Sequence, residues 1–471
     1  MTNQTKQSLI DYFEENASRR DQWKKRNRFY HLVLEKQYSF IIPEGANVLE
    51  LGCSTGDLLH AVKPAYGLGV DFSVKAIEIA KAKYPQLNFL VADAIEFTTT
   101  EKFDYIIVSD LLSSLWDVQK FFRSLRSYVS PSTKIVISSY NYLWEPTLRL
   151  GENLRLKAKQ PLQNWLSVRD LGNLLRLENF EIITVDKKLL FPKYVPVLNV
   201  IVNKFLANLP GVNALNLVNF ITARPVDYAS QKQYSTTIVI PSRNEKGNVE
   251  NAIRRTPSFG SHQEFIFIEG GSQDGTYEEM LRVQKAYPDK DIKVMKQSGT
   301  GKGNAVRDAF EVATGDILMI LDADLTTPPE DMPKFYEALS TNKGEFINGC
   351  RLVYPMEKEA MRFLNFLGNK FFGWFFSFLL GQRLKDTLCG TKVLFRTDYE
   401  KIKANRNYFG DFDPFGDFDL LFGAAKLNLK ITEIIVRYKD REYGSTQISR
   451  FKHGWLLIKM SFVAAKKIKF R

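Results

Sequence analysis

The stretch "GDILMILDADLTTPPEDM", residues 315–332, decides the reading of the second half of this chain. Ile317 to Leu321 is an uncharged apolar run, the pattern of a strand buried on both faces of a parallel sheet. It stops at Asp322-Ala323-Asp324, and a Thr-Thr-Pro-Pro turn follows. Side chains alternate along a strand, so both aspartates can serve one ligand only where the strand has ended. Hard carboxylate oxygens at such an edge can hold Mg2+ or Mn2+, with diphosphate oxygens and water completing the shell. A solvated turn is the plain alternative.

The flanking segments favour the ligand. "VIPSRNE" (239–245) ends an earlier apolar run on Asn244 and Glu245, and "IEGGSQDGT" (268–276) ends another on Glu269 and Asp274. "GTGKGNAVRDAF" (299–310) opens a helical stretch with glycines, Lys302 and Arg307, where cations and helix N-terminal amides can meet phosphate charge. Strand-like runs alternating with helical ones from residue 236 onward imply an α/β unit with its own start.

A similar alternation fills the first half. "NVLELG", "YGLGVDFS", "LNFLVADA", "FDYIIVSD" and "TKIVISSY" follow a polar helical segment over roughly residues 6–38. After Tyr140 the pattern loosens into a helix, a strand and a stretch rich in Pro, Asn and Leu up to Arg224. The polar, turn-prone "PVDYASQKQYS" reads as a linker over 225–235, so the expected domains are 1–224 and 236–471. In "VLELGCSTGDLL", Glu50, Gly52, Ser54 and Gly56 sit on a strand-to-helix turn, where glycine allows close backbone approach to a ligand. Asp71, Asp93 and Asp110 end the next three strand-like runs. Asp71 is placed to accept both hydroxyls of a ribose, and Asp93 to meet an adenine amino group.

The order of these first-half motifs resembles class I S-adenosylmethionine-dependent methyltransferases over roughly residues 20–190. The resemblance implies that Glu50 and the Gly52–Gly56 loop surround the methionine part of S-adenosylmethionine. Asp71 would hold the ribose, Asp93 with Ala94 the adenine, and Asp110 would lie near the methyl group. Ser54 stands where that family has its central glycine. A dinucleotide-binding oxidoreductase is the competing reading, but the loop is not Gly-x-Gly-x-x-Gly, and Glu50 suits a cationic sulfonium better than a pyrophosphate. Tyr140, Asn141, Asn164 and Trp165 fall where a methyl acceptor would bind, although packing and capping roles are expected of them first.

The second half resembles family 2 inverting glycosyltransferases, most of all the polyprenyl-phosphate mannosyl- and glucosyltransferases, through "DADLTTPPE", "DTLCGTKVLFR" (386–396) and "FGDFDLLFGAAKLNLKITEIIVRYKDREYGSTQISRF" (415–451). It implies that Pro241, Asn244, Glu245, Glu269, Asp274 and Lys302 line the nucleotide-sugar pocket. Asp322 and Asp324 would bind metal and donor, and Arg437, Arg441, Ser445 and Thr446 would clamp phosphates. Thr326 replaces the family's glutamine. A polyprenyl phosphate acceptor is already anionic and needs no strong base. A sugar hydroxyl would need one, and Asp386, Asp417 and Asp419 are the candidates. The fold expected is thus α/β, with two Rossmann-like domains in series, a class I methyltransferase fold and a GT-A fold. Two roles are open to the first domain, an enzyme and a non-catalytic binding scaffold.

Bulk properties fit this setting. The 471 residues suit two domains, and the net charge of +12 suits phosphorylated substrates or an anionic membrane surface. No nucleic-acid fingerprint accompanies the charge, so nucleic acid is not expected as a partner. Three dispersed cysteines form no disulfide framework, as in a reducing cytoplasm. The polar N-terminus has no signal-peptide pattern. "FFGWFFSFLLGQ" (371–382) is too short to span a bilayer. That segment, as part of "MRFLNFLGNKFFGWFFSFLLGQ" (361–382), and the basic tail "FKHGWLLIKMSFVAAKKIKFR" read as amphipathic helices lying in a membrane interface, with core packing of the first and a solvated basic terminus for the second as the plain alternatives. A peripheral position at the inner face of the cytoplasmic membrane is therefore expected.

Overall fold

The computed structural model describes residues 3–154, 156, 163–226, 232–353, 363–408, 416–439, 441, 443–444 and 450–471, with backbone alone at 3–6, 8–9, 363–367, 417, 450–454 and 456. The chain divides into two compact units, the first built from Met1–Val226 and the second from Asp227–Lys469.

The first unit holds a seven-stranded sheet. Its strands are β1 (Asn47–Leu51), β2 (Tyr66–Asp71), β3 (Asn88–Val91), β4 (Tyr105–Ser109), β5 (Lys134–Tyr140), β6 (Phe180–Lys188) and β7 (Val218–Pro225). Their spatial order is β3-β2-β1-β4-β5-β7-β6. β1 to β5 run parallel, and β7 runs against both β5 and β6. Strand alternation sorts the core into two layers. Leu49, Leu51, Ile106, Val108, Ile135 and Ile137 pack on one face with Phe121 and Phe122. Val48, Tyr105, Ile107 and Val136 pack on the other with Leu34, Tyr38 and Phe220. Burial on both faces explains the continuous apolar runs in the sequence. The polar N-terminal segment forms the helices Asn3–Asn16, Arg20–Arg26 and Arg28–Ile41.

β7 is the strand that periodicity missed. Its sequence, "VNFITARP", carries Asn219 and Arg224 inside the sheet. Arg224 is wholly buried and is neutralised by two bonds to Glu181 across the β6–β7 pair, Nε at 2.8 Å and Nη2 at 2.7 Å. A charge thus hides what is otherwise a core strand.

The second unit holds β8 (Ser235–Ser242), β9 (His262–Glu269), β10 (Asp291–Lys296), β11 (Ile317–Ile320), β12 (Phe346–Cys350), β13 (Lys392–Phe395) and β14 (Ile431–Ile435). The order is β10-β9-β8-β11-β13-β12-β14, with only β13 reversed against its neighbours. Ile238, Ile240, Phe265, Phe267, Ile317 and Met319 form one face of the core with Met280, Phe335 and Leu339. The Phe-rich segment forms the helix Phe363–Leu380, and the basic tail begins with the helix Arg450–Ala464. Among the described residues, no helix is long and apolar enough to cross a membrane.

In both sheets the chain moves outward through three strands, then returns to pair its fourth strand with its first. That reversal opens a crevice at the carboxyl ends of β1 and β4 in one unit, and of β8 and β11 in the other. Open α/β sheets bind ligands in such crevices.

Candidate functional sites

At the crevice of the first unit, Glu50 lies on β1 and is almost fully buried, and its Oε2 has no hydrogen-bond partner. Burial pushes its carboxyl up to about 8, with Lys24 pulling the other way. An orphaned, buried carboxylate is costly unless a ligand completes it. The next turn holds Gly52 (φ +75°), Ser54 (φ +50°) and Gly56 (φ +78°). A Cβ at Gly52 would stand 2.9 Å from Leu111 Cδ1. Ser54 keeps the left-handed backbone that glycine adopts freely, so the departure from the family pattern preserves the turn at some strain.

Asp71, at the end of β2, accepts from Ser54 N (2.9 Å) and Ser73 N (2.9 Å), which ties two loops together. Burial raises its carboxyl despite these amides. Ala92 N donates to Asp71 O at 3.0 Å and so joins the β3 loop to this edge. There Asp93 accepts from Ile95 N (2.9 Å), and Ala94 is buried. Asp110 has φ +54° and accepts from Tyr30 Oη (2.5 Å) and Ser138 Oγ (3.1 Å). Asn141 and Asn164 bind neighbouring backbone carbonyls, as a packing role requires.

The N-terminal helices contribute what the motif reading missed. Glu14 caps the helix Val74–Lys83 by accepting from Val74 N (2.5 Å) and Lys75 N (3.3 Å). Lys24 donates to Thr55 Oγ1 (2.8 Å) and pairs with Asp57, just beyond the glycine turn. Burial opposes ionisation of Asp57, yet Lys24 and Lys83 together hold its carboxyl well below the usual range. These contacts join segments some thirty to eighty residues apart, so no local pattern announces them.

At the second crevice, β11 ends at Ile320 and the turn Asp322–Leu325 closes with Leu325 N donating to Asp322 O at 3.0 Å. Both aspartates therefore stand beyond the strand. Lys302, which opens the helix Lys302–Val312, donates to Asp322 Oδ1 at 2.5 Å. Burial opposes ionisation, but Lys302, Arg351 and Lys392 together hold the Asp322 carboxyl below its ordinary value. A Cβ on Gly390 would collide with this pair, so the loop before β13 needs glycine there.

Arg441 joins the other two acids. Its Nη1 donates to Glu245 Oε1 (2.8 Å) and its Nη2 to Asp324 Oδ2 (2.6 Å). Burial raises the Glu245 carboxyl to about 7 despite Arg441 and the amide of Asn248. Thr326 turns its Oγ1 onto Asp324 Oδ1 (2.8 Å), so it orients the acid. Asn244 (φ +56°) accepts from Gln273 N (2.9 Å). Glu269 accepts from Ser272 N. Asp274 accepts from Thr276 N (3.1 Å), Lys246 N (3.2 Å) and Tyr443 Oη (3.3 Å). Pro241 precedes them on β8. The structure thus brings Asn244, Glu245, Asp274, Asp324 and Arg441 together, with Asp322 and Lys302 beside them.

Other expected residues lie differently. Asp386 is fully buried and takes Nε (2.7 Å) and Nη2 (2.9 Å) of Arg351, plus the amides of Arg351 and Leu388. Arg351 overcomes burial and holds its carboxyl below the usual range, which makes Asp386 an anchor for a guanidinium. Asp419 is engaged by Arg406 Nε at 2.8 Å. Arg437 is exposed beyond the end of β14. The side chain of Asp417, and Ser445 and Thr446 entirely, lie outside the described residues. Arg351 was absent from the sequence reading. Its signal is a basic residue directly after β12, at the carboxyl end of the sheet.

Among the described residues, no cluster of three acidic, histidine or cysteine side chains is arranged to hold a metal ion. The donor chemistry of the second crevice still fits a hard divalent cation, because Asp322, Asp324 and Glu245 offer carboxylate oxygens. Lys302 and Arg441 now neutralise them. In the first crevice, the orphaned Glu50 oxygen and the glycine turn fit a cationic, adenosine-bearing cofactor.

Two α/β units thus each gather acids and glycines at a sheet crevice. Comparison with known proteins makes this specific. Residues 22–185 match a methyltransferase domain model, and residues 237–402 match that of glycosyl transferase family 2. The chain thus carries a region that matches methyltransferase domains, followed by a region that matches family 2 glycosyltransferases. It is 29% identical over 233 residues to glycosyltransferase AglJ of Haloferax volcanii, covering 49% of this chain and 71% of that one. It is 34% identical over 136 residues to a dolichol-phosphate mannosyltransferase of Pyrococcus furiosus, covering 28% of this chain but only 38% of that protein. A SAM-dependent methyltransferase of Thermotoga maritima aligns at 15% identity and a TM-score of 0.37, over 46% of this chain and 99% of its own.

Proposed function

We propose that the second domain transfers a sugar, with inversion, from a nucleotide-diphosphate sugar to a polyprenyl phosphate. The observation that carries this reading is the gathering of Asp322, Asp324 and Glu245 with Lys302 and Arg441 at the β8–β11 crevice. Asp322 and Asp324 would hold Mg2+ or Mn2+, which when bound neutralises charge on the departing diphosphate. Asn244, Glu245, Glu269 and Asp274 shape the loops around the nucleotide. Lys302 and Arg441 lie where phosphate oxygens would take over from the carboxylates as their partners. The acceptor oxygen is already anionic, so the domain has to orient the reactants and stabilise the leaving group, and needs no strong base. This agrees with Asp386 and Asp419 being committed to arginines.

The first domain, in the same reading, binds S-adenosylmethionine through Glu50, the Gly52–Gly56 turn, Asp71, Asp93 and Ala94. The net charge of +12 and the exposed Trp374, Trp455 and Phe462 support a peripheral position at the inner face of a membrane. Incubation with a panel of nucleotide sugars, Mg2+ or Mn2+ and a short polyprenyl phosphate, read by mass spectrometry, tests the proposal. The expected product is one glycosyl-phospholipid. Transfer only to saccharide hydroxyls would overturn it.

A further inference from the structure

β6 and β7 are antiparallel neighbours, and Lys188 pairs with Val218 where the two strands meet their connection. A tight turn would close such a pair. The chain instead uses residues 189–217 there. Connections longer than about 15 residues are uncommon in compact domains and usually functional. This one has its polarity inverted. Asn199, Asn208 and Asn216 are buried, while Tyr194 is 66% exposed and Val197 71%, with Val200, Ile201, Leu209 and Leu215 exposed beside them. The amides turn inward and hold the backbone. Asn203 accepts from Phe191 N (2.8 Å) and donates to Phe191 O (2.9 Å). Asn199 donates to Lys193 O (3.0 Å), Asn208 to Lys204 O (2.9 Å), and Asn216 to Ala207 O (2.8 Å) and Lys187 O (3.0 Å). From just beyond β5, Asn141 Nδ2 donates to Ala214 O (2.8 Å) and Trp144 Nε1 to Leu215 O (2.8 Å). Tyr142 and Leu143, exposed in that turn, extend the apolar surface.

We propose that this connection is a membrane-docking element of the first unit, which seats its apolar side chains in the interface of an anionic bilayer. It adds a contact to the peripheral position proposed above and stands on other residues. Lipid offers a backbone amide or carbonyl no partner, so an element entering it must satisfy those groups from within and turn its apolar side chains outward. In water the same arrangement leaves a row of large apolar side chains uncovered, which marks an interaction surface. Charge selects the partner. Residues 187–226 contain no aspartate or glutamate, and Lys193 and Lys204 stand exposed among the apolar side chains. Lysines so placed draw the element to anionic headgroups. A protein partner fits less well. Protein interfaces are enriched in Arg, Met and aromatic residues and poor in lysine. Residues 187–217 hold no Arg or Met and expose mainly Val, Ile and Leu.

The test uses the full chain with vesicles of phosphatidylcholine, alone or with about one third phosphatidylglycerol. The three native cysteines are buried, so an environment-sensitive dye can be attached selectively at Val197→Cys, and at Leu177→Cys as a control. Leu177 precedes β6, whose nine residues separate it from the connection. On the anionic vesicles the dye at 197 should shift to the blue and be quenched by spin-labelled lipid, while the dye at 177 stays in water. Lys193→Gln with Lys204→Gln should raise the vesicle concentration needed for that shift about tenfold and leave the circular dichroism unchanged. A dye at 197 that stays in water while the chain sediments with vesicles overturns this inference and leaves the peripheral position standing. No sedimentation overturns both. A dye at 197 shielded before vesicles are added shows that a second copy or the rest of the chain covers this face, and overturns the inference too. An equal shift on phosphatidylcholine alone overturns the anionic partner.

Discussion

Single residues set the charge balance at both crevices. The Glu50 carboxyl, at about 8, lies above its ordinary 4.5, so between those values the folded chain binds more protons than the unfolded one. Stability then falls as pH rises from 4.5 through 8. Glu50→Gln should therefore stabilise the first domain at pH 8.5 by about 1–3 kcal/mol and flatten its pH dependence in thermal melts, while weakening S-adenosylmethionine binding in calorimetry. Asp324→Ala should lower metal-dependent sugar transfer by about 100- to 1000-fold and leave cofactor binding at the first domain unchanged. A loss of both together would contradict two separate sites. Gly390→Ala should do similar damage to sugar transfer, because its methyl group would displace the Asp322–Lys302 pair. The Asp-x-Asp was legible because a four-residue apolar strand stops just before it. Arg441 reaches Glu245 and Asp324 from 196 and 117 residues away, and no spacing rule reports such a meeting.

At the scale of elements, parallel strands with apolar cores were readable from their runs, and β1 to β5 and β8 to β11 fall where those runs lie. β7 was not, since Asn219 and Arg224 interrupt the pattern, and the Arg224 charge is neutralised by Glu181 across the β6–β7 pair. The N-terminal helices read as polar and nothing more. Their Glu14, Lys24 and Tyr30 instead reach the β2 loop, the glycine turn and Asp110. Removing residues 3–26 should weaken S-adenosylmethionine binding at least about tenfold, since several charge-assisted bonds to the turn are lost. Sugar transfer by the second domain should be unaffected, and the two assays run on one preparation decide it.

For the whole molecule, ligand linkage offers a direct view of two domains. A ligand that binds only the folded form raises the stability of the unit it occupies, by about 2.7 kcal/mol at a hundredfold excess over Kd. S-adenosylmethionine and a nucleotide diphosphate with Mn2+ should each shift a different melting transition in calorimetry. A single transition moved by both would contradict the division at Val226. The place of β7 bears on how the chain can be dissected. The methyltransferase match stops at residue 185, yet β7, at 218–225, fills the sheet between β5 and β6. A fragment trimmed to the match would keep Glu50, the glycine turn, Asp71 and Asp93 and still expose two open strand edges. Only a fragment running through Pro225 closes the sheet. During synthesis, likewise, the first domain cannot complete its sheet until that late strand has left the ribosome, by which point the second domain is about to begin.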